Sequence, residues 1–563
     1  MIVQIIDSQP LFLLSITGLE KIKQKLYNVP IKLRRYMEMK KFISMLISLL
    51  MILTAVQIPS YAAENQKLNA NDYIITNPYE NVDWETVKAY KAQFHCHTNA
   101  SDGYLTIKEA VQLYYDLDYD IVAITDHGTN NLGWNKVPEN IPLMRAIKKE
   151  RSGGAYNPII PLSEEEYAAY LNGTASTSDG SIRTNDDGLV DVAMGNELNM
   201  ATPFADCHLT HYWCDYGQGL AGVYGDYETP SRESSKQGGV VMLSHVGEYV
   251  YTNKDTTSRY HVGQPVEDYY ANKFARIFLD NPVGSSKQPG SVCGMGINSS
   301  EDEHTRCDRI LYDQILAKTI PNGVVPWGFT FSDSHNVSSM NNAYCMMLIP
   351  DWHELDNAQR NEKLRSCMEN GEFFAVSHYS NGVELDGERE FTAIEPDTSW
   401  PPEQLAKMND TPMVTGIVVD EETDTITVEA ENADRIVWVS DGNVIKREVS
   451  DAGDGEECTF TLSLHEDGLK NGLNYYVRFY VTGPQGICYS QPMVIRAADE
   501  NGDPIDYAPV DVPKTHDLPA FLRGFVTVLD WLIFKWSPVI WIFKYFALGY
   551  NPIERLFNDL MIF

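Results

Sequence analysis

Five short apolar runs, each closing on a histidine or a carboxylate, constrain this chain more than any other feature. "KAQF" is followed by His95 and His97, "DIVAIT" by Asp126 and His127, and "VDVAMGN" by Glu197. "GGVVMLS" is followed by His245, and "WGFTFS" by Asp333 and His335. Most of the runs are β-branched and bounded by glycine or polar residues, and helix-like stretches such as "TIKEAVQLYYDLDY" lie between them. That alternation predicts βα units feeding a parallel sheet or barrel. In a barrel of parallel strands the C-terminal strand ends converge on one mouth, so ligands distant in sequence meet in space. His95 and His97 share one face of a strand, about 6.5–7 Å apart along it, while Cys96 faces the other way and is expected to be structural. Each run alone has an ordinary reading: a polar residue at the core edge, or an aspartate capping the next helix. Five of the same kind do not.

These residues resemble the motifs of the polymerase-and-histidinol-phosphatase (PHP) superfamily. Its first motif, H-x-H-T-x-x-S-D-G, is matched by "HCHTNASDG". Its T-D-H motif is met by "TDHG", its glutamate motif by "GNELN" and its late D-x-H motif by "SDSH", and the resemblance covers about Lys91 to His378. It implies a distorted seven-stranded β/α barrel holding two or three divalent metals, in a family of mostly phosphoesterases. Carried over residue by residue, it places His95, His97, Glu197 and Asp333 around one metal. Glu197 would bridge to a second with His208 and His245, and Asp102, His127 and His335 would hold a third. Glu197, Asp333 and His335 are the members it makes catalytic. His208 stands in "DCHLTHYW", where His211 competes three residues on. His245 stands in "SHVGEY", where relatives often have a proline after the histidine, a departure that bears on the substrate loop. His261 and His304 have no motif counterpart and default to structural roles.

The expected chemistry follows from charge. Three divalent ions against Asp102, Glu197 and Asp333 leave the mouth locally cationic, although the chain carries a net charge of -34. Bound ions dominate local fields, so such a mouth holds a phosphate dianion. A ligand set of histidines and carboxylates, with no thiolate, suits Mn, Fe or Zn. Metal-bound water supplies hydroxide at neutral pH. The expectation is a metal-dependent phosphoesterase acting on small phosphate esters, nucleotide or sugar phosphates. The alternatives are a metallohydrolase of C–N or carboxylic ester bonds, or a degenerate barrel serving as a surface binding scaffold. The acidic surface excludes a long nucleic acid as partner.

A composition 22% charged and 43% hydrophobic over 563 residues is globular and long enough for two or more domains. At Met39, Lys40 and Lys41 precede an apolar stretch ending at Ser60-Tyr61-Ala62, which reads as a signal peptide over residues 39–63 and predicts a secreted or cell-surface protein. Translation is expected to start there, leaving residues 1–38 as an upstream leader. The barrel is expected over 64–385 and a linker with Pro396 and Pro401-Pro402 over 386–411. Strict alternation in "DTITVEAE" and apparent hairpins around Asp441-Gly442 and Gly483-Pro484 predict a small immunoglobulin-like β-sandwich over 412–500. A linker over 501–517 leads to an aromatic tail, 518–563. There Arg523, Thr527, Asp530, Ser537 and Lys544 fall on one helical face, bent at Pro538, which suits a helix lying on a membrane surface. Nine cysteines without a C-x-x-C pair read as free thiols, with Cys458 and Cys488 placed to pair.

Overall fold

The computed structural model describes residues 72–138, 157–183, 188–199, 208–217, 227–250, 265–299, 307–350, 355–378, 411–450, 457–469, 472–483 and 485–515, with Ala70, Arg145 and Trp352. The signal segment, the upstream leader, most of the expected linker, the aromatic tail, His261 and His304 lie outside the described residues. The chain divides into two units, Met1–Gln66 and Lys67–Phe563, and everything described belongs to the second.

That unit is a mixed α/β fold of three sheets. It opens with β1 (Tyr73–Thr76), β2 (Lys88–Gln93), α1 (Ile107–Asp116) and β3 (Ile121–Val122). Then come α2 (Glu164–Leu171), β4 (Val190–Asp191), β5 (Asn196–Asn199), β6 (His208–Tyr212), α3 (Glu228–Lys236) and β7 (Val240–Leu243). They are followed by α4 (Asp268–Asp280), β8 (Ser291–Ser299), α5 (Asp308–Thr319), β9 (Trp327–Phe331), β10 (Ala343–Ile349), α6 (Asn357–Asn370) and β11 (Phe373–Ser377). The rest is strand: β12 (Met413–Asp420), β13 (Thr425–Glu431), β14 (Arg435–Ser440), β15 (Asn443–Val449), β16 (Cys458–Ser463), β17 (Tyr476–Gly483), β18 (Gly486–Tyr489) and β19 (Met493–Ala497).

Local chemistry sets the helix starts. Thr106 with Glu109, Ser163 with Glu166 and Asp356 with Gln359 form reciprocal capping boxes on α1, α2 and α6. Each cap satisfies backbone N–H groups that the first turn leaves without an internal partner. α1 then buries Ile107, Ala110, Val111, Leu113, Tyr114 and Tyr115 beneath β2 and β3, the stripe expected of an amphipathic helix.

Two runs of parallel strands carry the ligand-bearing ends. β2, β3 and β4 pair in parallel, and so do β7, β8 and β9. β5 and β6 enter antiparallel beside β7. Two isolated parallel bridges, His127↔Glu197 and Cys96↔Ser334, connect the runs. Pairing can therefore be followed from β3 through β5, β6, β7, β8 and β9 back to β2. Both bridges fall on or beside candidate ligands.

The late strands do not stand apart. β18 pairs with β11, so one sheet of eleven strands runs from β4 through β2, β10 and β11 to β17, β19 and β1. β1, from the start of the segment assigned to the barrel, pairs with β19 through Tyr73↔Ala497 and Thr76↔Val494. A separate sheet, β12–β13–β16, contributes Val414, Ile426, Val428, Phe460 and Leu462 to the same hydrophobic cluster as Trp438, Phe479 and Val481. The pairing option for Cys458 and Cys488 is not taken: all eight described cysteines are free and buried.

Buried polar contacts fasten α5 and β9 to the late strands. Asp313 on α5 accepts from Arg478 Nε at 2.8 Å and Nη2 at 2.6 Å, and from the Tyr476 hydroxyl at 2.6 Å. Gln491 closes on Gly328 of β9 in both directions, accepting from its N–H at 2.8 Å and donating to its carbonyl at 2.9 Å. Removing one member of a buried ion pair strands the other charge, at about 3–5 kcal/mol. Arg478→Met should therefore lower unfolding free energy by about 3–5 kcal/mol in urea titrations, and adding Asp313→Leu should recover most of the loss. An unchanged midpoint in Arg478→Met would show that the pair does not hold these elements together.

Candidate metal centre

The end of β2 shows how the sequence builds the site. His97 N–H donates to Ser334 O at 2.8 Å, and the Cys96↔Ser334 bridge sends Cys96 to the far side, where Sγ lies 3.3 Å from Ala123 O. His95 and His97 are thereby turned to the same side, with their Nε2 atoms 3.2 Å apart. The loop that follows closes tightly. Gly103 N–H donates to Thr98 O at 2.9 Å, and a Cβ at Gly103 would lie 2.5 Å from His97 O. Only glycine fits there. Asp126 anchors the loop from below, accepting from the Thr98 N–H at 2.8 Å, the Thr98 hydroxyl at 2.6 Å, and both the N–H and hydroxyl of Ser101.

Glu197 sits at the centre, fully buried. Its Oε2 lies 2.9 Å from His127 Nδ1, 3.1 Å from His97 Nε2 and 3.2 Å from His95 Nε2. Its Oε1 lies 2.9 Å from His208 Nδ1 and 3.2 Å from His245 Nε2. Asp333 Oδ1 lies 3.0 Å from His97 Nε2 and 3.2 Å from His95 Nε2. A further group surrounds Asp102 Oδ1, with His335 Nε2 at 3.4 Å, His127 Nε2 at 3.6 Å and His97 Nδ1 at 3.7 Å. Three sets of donor atoms result: His95, His97, Glu197 and Asp333; His127, Glu197 and His208; and His97, Asp102, His127 and His335. His245 approaches the second set through Glu197 Oε1.

The donors fit divalent cations. Glu197 Oε2 and Asp333 Oδ1 are buried and accept no hydrogen bond, although imidazole nitrogens crowd both. Those nitrogens share a space with the oxygens rather than donating to them. Two nitrogens each about 2.1 Å from one ion would be separated by about 3.0 Å at a right angle and about 3.4 Å in a tetrahedral site, a range that contains the His95–His97 spacing. His335 Nδ1 lies 2.9 Å from Asp333 O, so that nitrogen carries the proton and Nε2 keeps its lone pair for Asp102's group. His245 and Asp333 have φ of 25° and 49°, left-handed values that a non-glycine residue holds only under constraint.

Electrostatics follow from the crowding. Burial alone would raise the Glu197 and Asp333 carboxyls, yet the surrounding imidazoles hold both well below the carboxylate range. Burial pulls His97 down, but Asp333 and Glu197 beside it win and raise it well above 6.5. In His95 burial wins and the pKa falls. Exposure marks the open side. The side chains of His95, His97 and Glu197 are at 0%, whereas His208 is at 15%, Asp333 at 11% and His335 at 9%.

All nine residues assigned as ligands are brought together. Of His208 and His211, register brings the first beside Glu197: Glu197 faces Thr210 across the β5–β6 ladder, so His208, two residues away, shares its face. His211 faces Asn196 on the other side, with Nε2 2.9 Å from Tyr216 O and Nδ1 3.2 Å from Cys214 Sγ. Burial pushes its pKa down to about 4. Two features were missed from sequence. Asp126, read as a strand-end ligand candidate, is committed to Thr98 and Ser101 instead. His97 and His127 each present both ring nitrogens, to different groups. The T and S of "HTNAS" are the sequence signal for the first; the second leaves none.

No family model matches the chain, and no curated protein matches it. Similar solved structures include a two-domain protein containing a predicted PHP-like metal-dependent phosphoesterase from Bacteroides vulgatus, with a TM-score of 0.32 and 12% identity, covering 77% of this chain and 99% of that one. An amidohydrolase from Chromobacterium violaceum with bound sulfate and no metal has a TM-score of 0.23 and 13% identity over 43% of this chain and 87% of its own. A metal-dependent phosphoesterase, so described, from Bifidobacterium adolescentis has a TM-score of 0.23 and 14% identity over 44% of this chain and 87% of its own.

A ligand nitrogen must lose its proton to bind a metal. Asp333 and Glu197 beside His97 favour its protonated form in metal-free protein. Loading a divalent ion at pH 7 should release protons, and affinity should climb with pH towards the His97 pKa. Calorimetry in buffers of different ionisation enthalpy reads the release; none at pH 7 would contradict it. His208→Ala should lower metal per chain by mass spectrometry, while His211→Gln should not.

Proposed function

We propose that the chain hydrolyses small phosphate esters, nucleotide or sugar phosphates, with two or three divalent ions of Mn, Fe or Zn. The observation that carries this reading is Glu197, which offers one oxygen to each of two groups of histidines from a fully buried position. Divalent ions held there would supply Lewis acidity and a nucleophile at neutral pH. The chain's own residues do the rest. Glu197 holds the charge between the groups, and His97 and His127 tie both to Asp102's group. His335, its tautomer set by the Asp333 carbonyl, presents Nε2 at the more exposed rim. His208 and Asp333 line the side where an ester enters. The circuit of pairings from β3 round to β2 is read as the distorted seven-stranded barrel, and the late strands as an immunoglobulin-like sandwich.

The PHP motifs and the donor sets together favour phosphate esters. Export through the segment beginning at Met39, and attachment to a membrane surface through the tail, are proposed from sequence. Among the described residues no helix is long and apolar enough to cross a membrane.

The test pairs metal content with turnover. Wild type should carry two or three ions and release phosphate from a nucleoside monophosphate, a sugar phosphate or a bis-ester. Glu197→Gln keeps the shape and removes the charge, so turnover should fall roughly 10²-fold or more and at least one ion should be lost. Metal with hydrolysis only of an amide or carboxylic ester would move the protein to another hydrolase class. Metal with no turnover of any of these would make the fold a binding scaffold.

A further inference from the structure

We infer that Tyr104 is a specificity-determining residue, a fixed aromatic platform at the rim of the metal centre that stacks on a planar aromatic leaving group. This rests on the phosphoesterase reading and narrows its substrates towards phosphate esters of nucleosides. Tyr104 is 51% exposed, one of two exposed aromatic side chains among the described residues. Water-facing placement of so large a ring needs a reason, because burial is where an aromatic side chain gains most.

Its backbone is held on both sides by the site. Tyr104 N–H donates to His335 O at 2.8 Å, and Leu105 O accepts from Asn99 N–H at 2.7 Å. Gly103, just before it, is pinned to Thr98 O and packed against His97 O, and the candidate ligand Asp102 stands two residues upstream. The ring is therefore mounted on a short loop pinned by backbone hydrogen bonds to His335 and within Thr98–Leu105, and anchored through Thr98 and Ser101 to Asp126. The His335 side chain is 9% exposed, more than His95, His97 or Glu197, and Tyr104, bonded to its backbone and itself half exposed, adjoins this less buried part of the centre. An ester whose phosphate lies among the histidines would project its alcohol portion outwards, past this rim. Every nucleobase has a π-face, so a tyrosine there recognises the class without reading the base.

Binding of non-hydrolysable analogues to the metal-loaded protein tests this directly. A nucleoside 5′-phosphonate and methylphosphonate, titrated by calorimetry, should differ in affinity by about tenfold or more, the size expected of one stacked base. Tyr104→Ala should remove most of that difference, and Tyr104→Phe should keep it. Equal affinity of wild type for the two analogues overturns the inference, and so does a difference that survives in Tyr104→Ala. Turnover measured in parallel separates the two readings. Phosphate release without a nucleoside preference sinks the platform alone, and no phosphate release from any ester sinks the phosphoesterase reading instead.

Discussion

A carboxylate removed from water must be matched by positive charge or it takes up a proton. Glu197 is removed completely, and five imidazoles from four separate segments of the chain surround it. No single strand could supply them. β2, the residues after β3, the start of β6 and the residue after β7 all have to end at the same place. The geometry of the sheets can be understood as the solution to that requirement. The His127↔Glu197 bridge and the Cys96↔Ser334 bridge sit where the runs of strands meet and where the ligands lie. Closing the pairing circuit and assembling the donors are the same structural event.

Such a site needs a rigid frame, since a metal-binding nitrogen or oxygen displaced by a fraction of an ångström changes what it can hold. Rigidity comes from groups that never touch the donor space. Asp126 fixes the loop after His97 through Thr98 and Ser101, and the Asp333 carbonyl fixes His335. Left-handed backbone at His245 and Asp333 is tolerated because surrounding strands over-determine both positions.

The late strands belong to the same frame. β18 covers the outer edge of β11, whose N–H and C=O groups would otherwise remain open. Asp313 with Arg478, and Gln491 with Gly328, couple α5 and β9 to strands more than 100 residues away. β9 leads directly to Asp333 and His335. The strand-rich part, which carries no metal-ligand group of its own among the described residues, therefore supports one wall of the centre.

The sequence by itself determined the donor chemistry and most of its positions. Strand ends are legible because apolar β-branched runs, helical periodicity and capping residues such as Thr106 and Ser163 are local properties. The two-residue strand period put His95 and His97 on one face. The fold was legible only as an alternation of strands and helices that turns to strands alone. Tertiary structure decided what local patterns cannot carry. His208 and His211 are equivalent in composition and neighbourhood, and only the β5–β6 register places one of them beside Glu197. Asp126 looks like a ligand until Thr98 and Ser101 are seen to occupy it. The pairing of β1 with β19 joins residues more than 400 positions apart, and β11 with β18 crosses an expected domain boundary. Edge pairing depends on which backbone groups remain unpaired after the rest has folded, and a linear pattern of side chains does not encode that.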